Sequence, residues 1–257
     1  MTTTSEIVTY LDDILETTIT PDFPGAVNGL QVANRGNVTK VAAAVDFSAR
    51  SIAAAIDAQA DLLLVHHGMF WNGVHPITGP AYERMRLLLD HDIAVYSSHL
   101  PLDKHAHFGN NVLLAEVLGL DASERFARYQ TISIGVRGES NIDTAELLTR
   151  AQTFARKHGG DAVATEYAAN RQTLRWAICT GAGASADTLN EAADLGVDTL
   201  IVGEGPHWTA VAAAEMGIVI IYAGHYATET LGVNALAHHL AERFQIGWTM
   251  IHAPTGL

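Results

Sequence analysis

Short apolar runs alternate with amphipathic segments along most of the chain. Segments in which apolar residues recur at helical spacing predict helices at residues 6–16, 49–58, 82–90, 111–118, 144–158, 186–195, 208–216 and 229–244. Runs rich in Val, Ile, Leu and Ala predict strands at residues 40–45, 61–65, 93–97, 131–136, 174–179, 199–202, 218–222 and 247–251. This alternation is typical of βαβ units, in which helices cover strands that are buried on both faces. The sequence therefore predicts an α/β fold whose mixed, mostly parallel sheets are flanked by helices.

Two stretches of the chain resemble each other in the same order. Residues 61–68, DLLLVHHG, align with residues 198–205, DTLIVGEG, and residues 96–99, YSSH, align with residues 222–225, YAGH. Ser48 and Ser185 are matching candidates for helix N-caps.

Coincidence between strands rich in Ala and Val is the alternative to duplication. The His-x3-acid pairs His99/Asp103 and His225/Glu229 favour duplication. We expect two related βαβαβ halves, at about residues 38–120 and 174–243. The predicted subdomains are residues 1–124, completed by 230–257, and residues 125–229, with a metal site between them.

Composition narrows the function classes. The 257 residues carry a formal net charge of −13 at pH 7, so binding to a phosphate backbone is not expected. The chain has one cysteine, which fits a reducing compartment. The start of the sequence lacks the features of a signal peptide, and the apolar runs are too short to span a membrane. These features predict a cytoplasmic protein.

Histidines and acids follow three of the predicted strands. His66 and His67 close one strand, and His99 and Asp103 follow another in the segment SSHLPLDKHAH, where Pro101 disfavours a helix. The segment GHYATET brings His225 and Glu229 after a third strand. If a helix begins at His225, these two side chains share one face; if Thr228 is the N-cap, the preceding loop must bring His225 back.

In open α/β sheets, ligands bind beyond the carboxyl ends of the strands, and imidazole with carboxylate suits zinc, iron or manganese. A single ion needs only three or four protein ligands. Each residue also has an ordinary alternative as a hydrogen-bonded, exposed or helix-capping side chain, so the combination carries the prediction. The candidates are too many for one ion and enough for two: His66, His67, Asp103, His225 and Glu229, with His99 as a sixth.

The motifs HHGMFW, SSHLPLDKHAHFGNN, GEGPHW and GHYATET resemble those of the dinuclear-metal-centre family, whose members are labelled type 2 homologues of GTP cyclohydrolase I. The chain looks most similar to short bacterial members that lack an inserted middle domain. The resemblance implies a hexameric ring with its metal sites facing an inner cavity. It also implies two divalent ions held by His66, His67, Asp103, His225 and Glu229.

The first functional hypothesis is a metal-dependent hydrolase. Two ions lower the pKa of bound water toward ~7 and polarise the electrophile. The family label implies a nucleotide-like small-molecule substrate, and a phosphate ester would suit the same chemistry. His99 is the candidate for proton transfer, because imidazole titrates near neutrality. The alternatives are a non-enzymatic protein that stores, delivers or senses metal, and an interaction scaffold whose metals are structural.

Overall fold

The computed structural model describes residues 2–71 and 75–256. Its helices are α1 (Thr4–Ile14), α2 (Ala49–Asp57), α3 (Pro80–Asp90), α4 (Leu100–Asp103), α5 (Asn110–Leu118), α6 (Thr144–Lys157), α7 (Ala186–Asp194), α8 (His207–Glu215) and α9 (His225–Phe244). Its strands are β1 (Thr2–Thr3), β2 (Gly29–Val32), β3 (Asn37–Val38), β4 (Lys40–Asp46), β5 (Leu62–His67), β6 (Ala94–Ser97), β7 (Glu124–Tyr129), β8 (Ile132–Asp143), β9 (Val163–Ala164), β10 (Gln172–Cys179), β11 (Thr199–Val202), β12 (Val219–Tyr222) and β13 (Gly247–Met250). Each predicted strand and helix overlaps one of these elements, so the predicted α/β fold is confirmed.

The chain divides into two compact units. The first comprises Met1–His105 and Gly232–Ala253, and the second comprises Ala106–Leu231 and Pro254–Leu257. The second unit therefore begins before residue 125, where the predicted second subdomain starts. The cause is α5, because Leu114 and Leu118 pack in the core of the second unit. The subdomain boundaries themselves stay a prediction.

The first unit is built on a five-stranded sheet in the order β13-β4-β5-β6-β2. The first four of these strands run parallel, and β2 pairs antiparallel with β6 at the edge. One face of the sheet packs Leu63 and Val65 of β5 against Ile52 of α2 and Leu88 of α3. This burial keeps the carboxyl ends of β4, β5 and β6 side by side.

The second unit is built on a six-stranded sheet in the order β7-β8-β10-β11-β12-β9. Strands β10, β11 and β12 are parallel, and the remaining pairs are antiparallel. Because side chains alternate along a strand, the sheet supplies two cores. Ile201 packs with Phe154 of α6 on one face, whereas Leu200 packs with Leu189 of α7 on the other.

Two aspartates show that the halves share a hydrogen-bond pattern as well as a sequence pattern. Asp61 Oδ2 accepts from the backbone N–H groups of Thr39 and Lys40 at the start of β4. Asp198 Oδ2 accepts in the same way from Leu174 and Arg175 of β10. Both predicted N-caps are also present: the hydroxyl of Ser48 accepts from Ser51 N–H, and that of Ser185 accepts from Thr188 N–H. The two halves are thus related βαβαβ units.

The register corrects one detail of the sequence alignment. Val65 pairs with Ser97, and Val202 pairs with Tyr222. Because Val65 aligns with Val202, Ser97 corresponds to Tyr222, although the sequence match placed Tyr96 there. A slip of one residue moves a side chain to the opposite face of a sheet, so the match of two tyrosines was misleading. His99 and His225 are equivalent only if one residue is inserted after the strand.

Two further local expectations change. Residues Leu100–Asp103 form a short helix although they contain Pro101. Proline is tolerated there because the first turn of a helix leaves its N–H groups without intrahelical partners. The last helix begins at His225 and not at residue 229, which selects the i, i+4 alternative for His225 and Glu229. In the described part of the chain, no helix is long and apolar enough to cross a membrane.

Candidate metal centre

Strand β5 places two adjacent imidazoles at its carboxyl end. His66 is fully buried and His67 is half-buried, and the centres of their rings lie 4.8 Å apart. Gly68 follows the strand directly, and the chain bends at Met69. A Cβ at Gly68 would lie 2.3 Å from Gln31 Nε2 and 2.6 Å from Ser97 Oγ, so a side chain there would require these two side chains to move. The local sequence thus packs the strand end closely around the two histidines.

The hydrogen bond made by His66 determines its tautomer. His66 Nδ1 lies 2.9 Å from the backbone oxygen of Ser98. A carbonyl oxygen only accepts, so Nδ1 carries the hydrogen and Nε2 presents a lone pair when the ring is neutral. His66 Nε2 lies 3.5 Å from Asp103 Oδ2, which α4 holds in a buried position. An imidazole lone pair and a carboxylate oxygen that face each other are a donor set for a cation.

His67 is held through its other ring nitrogen as well. Its Nδ1 donates to Asp46 Oδ1 at 2.8 Å. Asp46 is the last residue of β4, and the sheet register places it directly beside His67. A carboxylate in this position fixes the ring and increases the basicity of Nε2. Asp46 was not predicted from the sequence, although an acid at the end of the neighbouring parallel strand was a usable signal.

His99 is anchored by a carboxylate from a distant part of the sequence. Its Nδ1 donates to Asp22 Oδ1 at 2.8 Å. Asp22 also accepts from Asn28 Nδ2 at 2.8 Å and from the N–H of Leu100 at 3.0 Å. Burial alone would raise the pKa of Asp22, but hydrogen bonds from His99, Asn28 and Phe23, with the charge of His99, lower it below the ordinary value. Asp22 therefore stays ionised and holds the ring.

The first unit therefore assembles a cluster of three imidazoles. His66, His67 and His99 each offer a ring nitrogen within 4.8 Å of the others. In each ring Nδ1 is engaged by a carbonyl or carboxylate, which leaves Nε2 as the ligand atom. Imidazole nitrogens beside the carboxylate of Asp103 suit iron, manganese or zinc. The donor chemistry fits a metal ion on the residues of this unit alone.

The second unit holds its own imidazole–carboxylate pair at the start of α9. His225 and Glu229 lie one helical turn apart, with Nε2 and Oε2 separated by 3.1 Å. His225 Nδ1 donates to Glu204 Oε1 at 2.7 Å. Burial alone would lower the pKa of His225, but hydrogen bonds with Glu229 and Glu204, and their charges, raise it to about 9. Like the first unit, this pair turns an Nε2 toward a carboxylate.

Gly181 makes room for that pair. Its φ of +61° lies in the left-handed region, which glycine adopts without strain. A Cβ at this position would lie 2.1 Å from Glu229 Oε1 and 3.4 Å from His225 Nε2. Gly181, the first glycine of the segment GAGAS after β10, thus gives the carboxylate of Glu229 its space.

A cavity of about 280 Å³ lies beside Glu204. Its lining is contributed by the motif GEGPHW, by α8 and by β12: Glu204, Gly205, His207, Ala210 and Tyr222. The hydroxyl of Tyr222 is hydrogen-bonded to Thr209 Oγ1 at 2.8 Å, which fixes the ring on one wall. The motif therefore contributes both an anchor for His225 and a small pocket next to it.

The sequence-predicted residues thus fall into two groups. His66, His67, Asp103 and His99 lie in the first unit, and His225 and Glu229 lie in the second. The carboxylates of Asp22, Asp46 and Glu204, which orient the rings, were not among the candidate ligands predicted from the sequence. Asp22 in particular lies far from His99 in the chain, so no spacing pattern connects the two.

Known proteins resemble this chain over nearly its whole length. A family model described as Duf34/NIF3 (NGG1p interacting factor 3) matches residues 2–255. A Pyrococcus abyssi protein named GTP cyclohydrolase 1 type 2 homolog is 40% identical over 253 residues, which cover 98% of each chain. A Deinococcus radiodurans protein of the same name is 38% identical over 258 residues, covering 98% of this chain and 94% of its own. The solved structure of TTHA1606 from Thermus thermophilus is 33% identical, with a TM-score of 0.84 over 98% of this chain and 99% of that one.

Proposed function

Because the chain belongs to the Duf34/NIF3 family, we propose that it is a metal-dependent hydrolase with a dinuclear centre that acts on a nucleotide-like substrate. The proposed ligands of two divalent ions, iron, manganese or zinc, are His66, His67, Asp103, His225 and Glu229. One observation supports this most strongly. Each of the three imidazoles in this set donates its Nδ1 hydrogen to a carbonyl or carboxylate, and so presents Nε2 as a ligand.

The protein's own residues do the orienting. Asp46 and Glu204 hold His67 and His225 in the tautomer that a metal requires, so little conformational entropy is lost when an ion binds. Asp103 and Glu229 supply negative charge beside the imidazoles and offset the charge of the cations. Two divalent ions would polarise the electrophile and activate water at neutral pH.

His99 is the proposed proton-transfer residue. Its Nδ1 is bound to an ionised Asp22, and this bond stabilises the imidazolium that forms when Nε2 accepts a proton. The ring lies within the same cluster as His66 and His67, where water would be activated. Asp22 acts here as a positioning residue, because it acts through His99.

The proposed substrate class comes from the relatives. The Pyrococcus and Deinococcus proteins are both named GTP cyclohydrolase 1 type 2 homologs. For a purine nucleotide, a first water added at C8 would open the imidazole ring to a formamide, and a second water would cleave this formamide to release formate and leave the diamine. We also propose a cytoplasmic, hexameric protein, as the family resemblance implies. Analytical ultracentrifugation tests the assembly.

The test combines metal content with turnover. Protein loaded with iron, manganese or zinc is expected to hold two ions per chain by elemental analysis and to release formate from GTP. Asp103→Asn and Glu229→Gln remove ligand charge without changing shape, and each should lower both metal content and turnover. Glu242→Gln, which removes an exposed carboxylate that lies 3.6 Å from His238 Nε2, is the matched control.

Each alternative predicts a different result. Full occupancy with no turnover of nucleotides or phosphate esters would favour metal storage, delivery or sensing. A Glu229→Gln variant that unfolds, rather than folding without metal, would favour a structural role for the ions. Fewer than two ions per chain after loading would contradict the dinuclear proposal.

A further inference from the structure

Two half-exposed aromatic side chains flank His99 in the first unit. The ring of Trp71 is perpendicular to that of His99, with centres 4.6 Å apart, and its centre lies 4.9 Å from that of His67. The ring of Phe23 lies 5.7 Å from that of His99. Trp71 is 36% exposed and Phe23 is 47% exposed. Each aromatic ring thus contacts the imidazole cluster and also retains accessible surface.

Backbone hydrogen bonds lie at or near both aromatic residues. Phe23 N–H donates to Asp22 Oδ1, the atom that also binds His99. Met69 N–H, two residues before Trp71, donates to Gln31 Oε1 at 2.6 Å. The carboxylate that orients His99 is therefore also bonded to the backbone of Phe23.

Neither ring belongs to the apolar cluster that packs under α2 and α3. That cluster contains Leu63 and Ile52, and its described members include neither Phe23 nor Trp71. Covering a water-exposed aromatic surface with another apolar or planar group is favourable, because it removes apolar surface from water. Since both rings contact the proposed proton-transfer residue, the group that covers them would lie beside the reacting centre.

We propose that Trp71 and Phe23 recognise a planar aromatic ring of the substrate, of the size of a purine, by stacking at the edge of the imidazole cluster. This inference rests on the proposed function, because it concerns the ligand of the same site. Stacking tolerates different heterocycles, since every aromatic base has a π-face. Selectivity among bases must then come from polar contacts elsewhere.

The test compares two ligands that differ only in the ring. Guanosine 5′-monophosphate and ribose 5-phosphate share the sugar phosphate, and isothermal titration with metal-loaded protein measures both affinities. We expect Trp71→Ala and Phe23→Ala each to weaken guanosine monophosphate binding by about tenfold, within the range measured for base–aromatic stacking. Ribose 5-phosphate binding should not change. Trp71→Phe should retain most of the affinity for the nucleotide.

Matched variants separate stacking from other roles. Tyr82→Ala removes an exposed aromatic ring from α3 and should leave both affinities unchanged. Trp71→Leu and Phe23→Leu keep apolar bulk without an aromatic face, and metal content verifies that each variant retains the centre. These leucine variants should bind guanosine monophosphate as weakly as the alanine variants do.

Three results would overturn the inference. The first is equal affinity of the unmodified protein for the two ligands, and the second is an equal loss of both affinities in the variants. The third is a change in oligomeric mass with unchanged nucleotide affinity, which would identify the rings as a contact between copies of the chain. Ring-dependent binding without any turnover would contradict only the proposed hydrolase. Turnover with no dependence on Trp71 or Phe23 would contradict only this inference.

Discussion

The two βαβαβ halves share a register but carry different chemistry at the ends of their strands. In the first half, the carboxylate of Asp46 on β4 holds the imidazole of His67 at the end of β5. By the register, the equivalent positions of the second half are Gly181 and Glu204. There the carboxylate follows the middle strand, and the imidazole of His225 comes from the following helix. In the second half the anchor thus occupies the position that the anchored ring has in the first half, and the ring itself comes from α9.

The fold thus fixes where side chains meet at the strand ends, whereas a few residues decide whether those side chains are imidazoles or carboxylates. In the first half, the ends of β4 and β5 carry the side chains of Asp46 and His67. The donor atoms there come mainly from β5 and from the segment after β6. In the second half, Gly181 has no side chain, and α9 can bring Glu229 into that space. The first half thus contributes three imidazoles with Asp46 and Asp103, whereas the second contributes one imidazole with Glu204 and Glu229.

The largest effect, on metal affinity, is expected when a side chain is placed at Gly181 in the second half. In Gly181→Ala, the new Cβ would lie 2.1 Å from Glu229 Oε1, so the carboxylate or the turn must move. We expect metal affinity to fall by about a hundredfold or more, since displaced ligands cost at least as much as lost orienting groups, about 10–100-fold. Competition with a chelator measures the affinity.

Gly217→Ala is the control for backbone strain. Gly217 has a φ of +74°, and no atom lies within 4 Å of a Cβ built there. It should lower the free energy of unfolding by about 1 kcal/mol through backbone strain, while metal affinity stays unchanged. An equal loss of metal affinity in both variants would show that general destabilisation, and not the position of Glu229, is responsible.

The next largest effect, on the free energy of unfolding, is expected when the aspartates that precede β5 and β11 are replaced. Asp61→Ala leaves the N–H groups of Thr39 and Lys40 without their acceptor, which should cost about 2 kcal/mol. Asp198→Ala should cost more, because Asp198 also lies 3.5 Å from Arg171 in a partly buried ion pair. Urea denaturation measures both values. A larger loss in Asp61→Ala would mean that the two halves do not use this contact alike.

The extent to which the site was predictable follows from the range of each signal. Strand ends with paired histidines, such as His66 and His67, are local features, so the sequence alone identified them. The i, i+4 relation of His225 and Glu229 was also local, although two helix starts remained open until the structure placed the first residue of α9.

The groups that orient the imidazoles were less predictable because they act across the fold. Asp22 reaches His99 from a loop whose sequence has no periodic pattern, and the contact depends on how that loop packs. Short strands such as β3 and β9 escaped prediction because two residues carry no periodicity. The alignment of Tyr96 with Tyr222 was wrong for the related reason that register is a property of pairing between strands.

A smaller effect is expected when the two anchors are neutralised. Asp46→Asn and Glu204→Gln each keep a hydrogen-bond acceptor for the imidazole but remove the charge, so each should weaken metal affinity by about tenfold. Because the two anchors lie at different positions of the halves but have the same role, the two losses should be similar. Titration calorimetry with zinc compares them. A loss confined to one variant would show that the halves are not functionally equivalent.

The smallest effect is expected in the pH dependence of stability of the metal-free protein, where His225 and Asp22 should contribute in different pH ranges. The pKa of His225 is about 9 in the folded chain, above its ordinary value of 6.5, because hydrogen bonds with Glu229 and Glu204 and their charges outweigh burial. Protonated His225 therefore stabilises the fold fully below pH 6.5, and this contribution is lost as the pH rises through about 9. The pKa of Asp22 is lowered, so in the first unit Asp22 stabilises above its ordinary pKa of 3.8 and loses that contribution as the pH falls through its lowered pKa.

In urea unfolding with a chelator present, the free energy of unfolding should thus decrease on the order of 1 kcal/mol between pH 6.5 and pH 9. This decrease should depend on His225 and its two carboxylate partners and not on Asp22. Glu204→Gln should reduce that decrease, because it removes one of the two charges that raise the pKa of His225. Asp22→Asn should leave it intact and should instead reduce the acid-side loss. If Asp22→Asn changed the alkaline decrease as much as Glu204→Gln does, the two groups would not titrate independently. The difference between the halves at their strand ends would then have no separate energetic consequence.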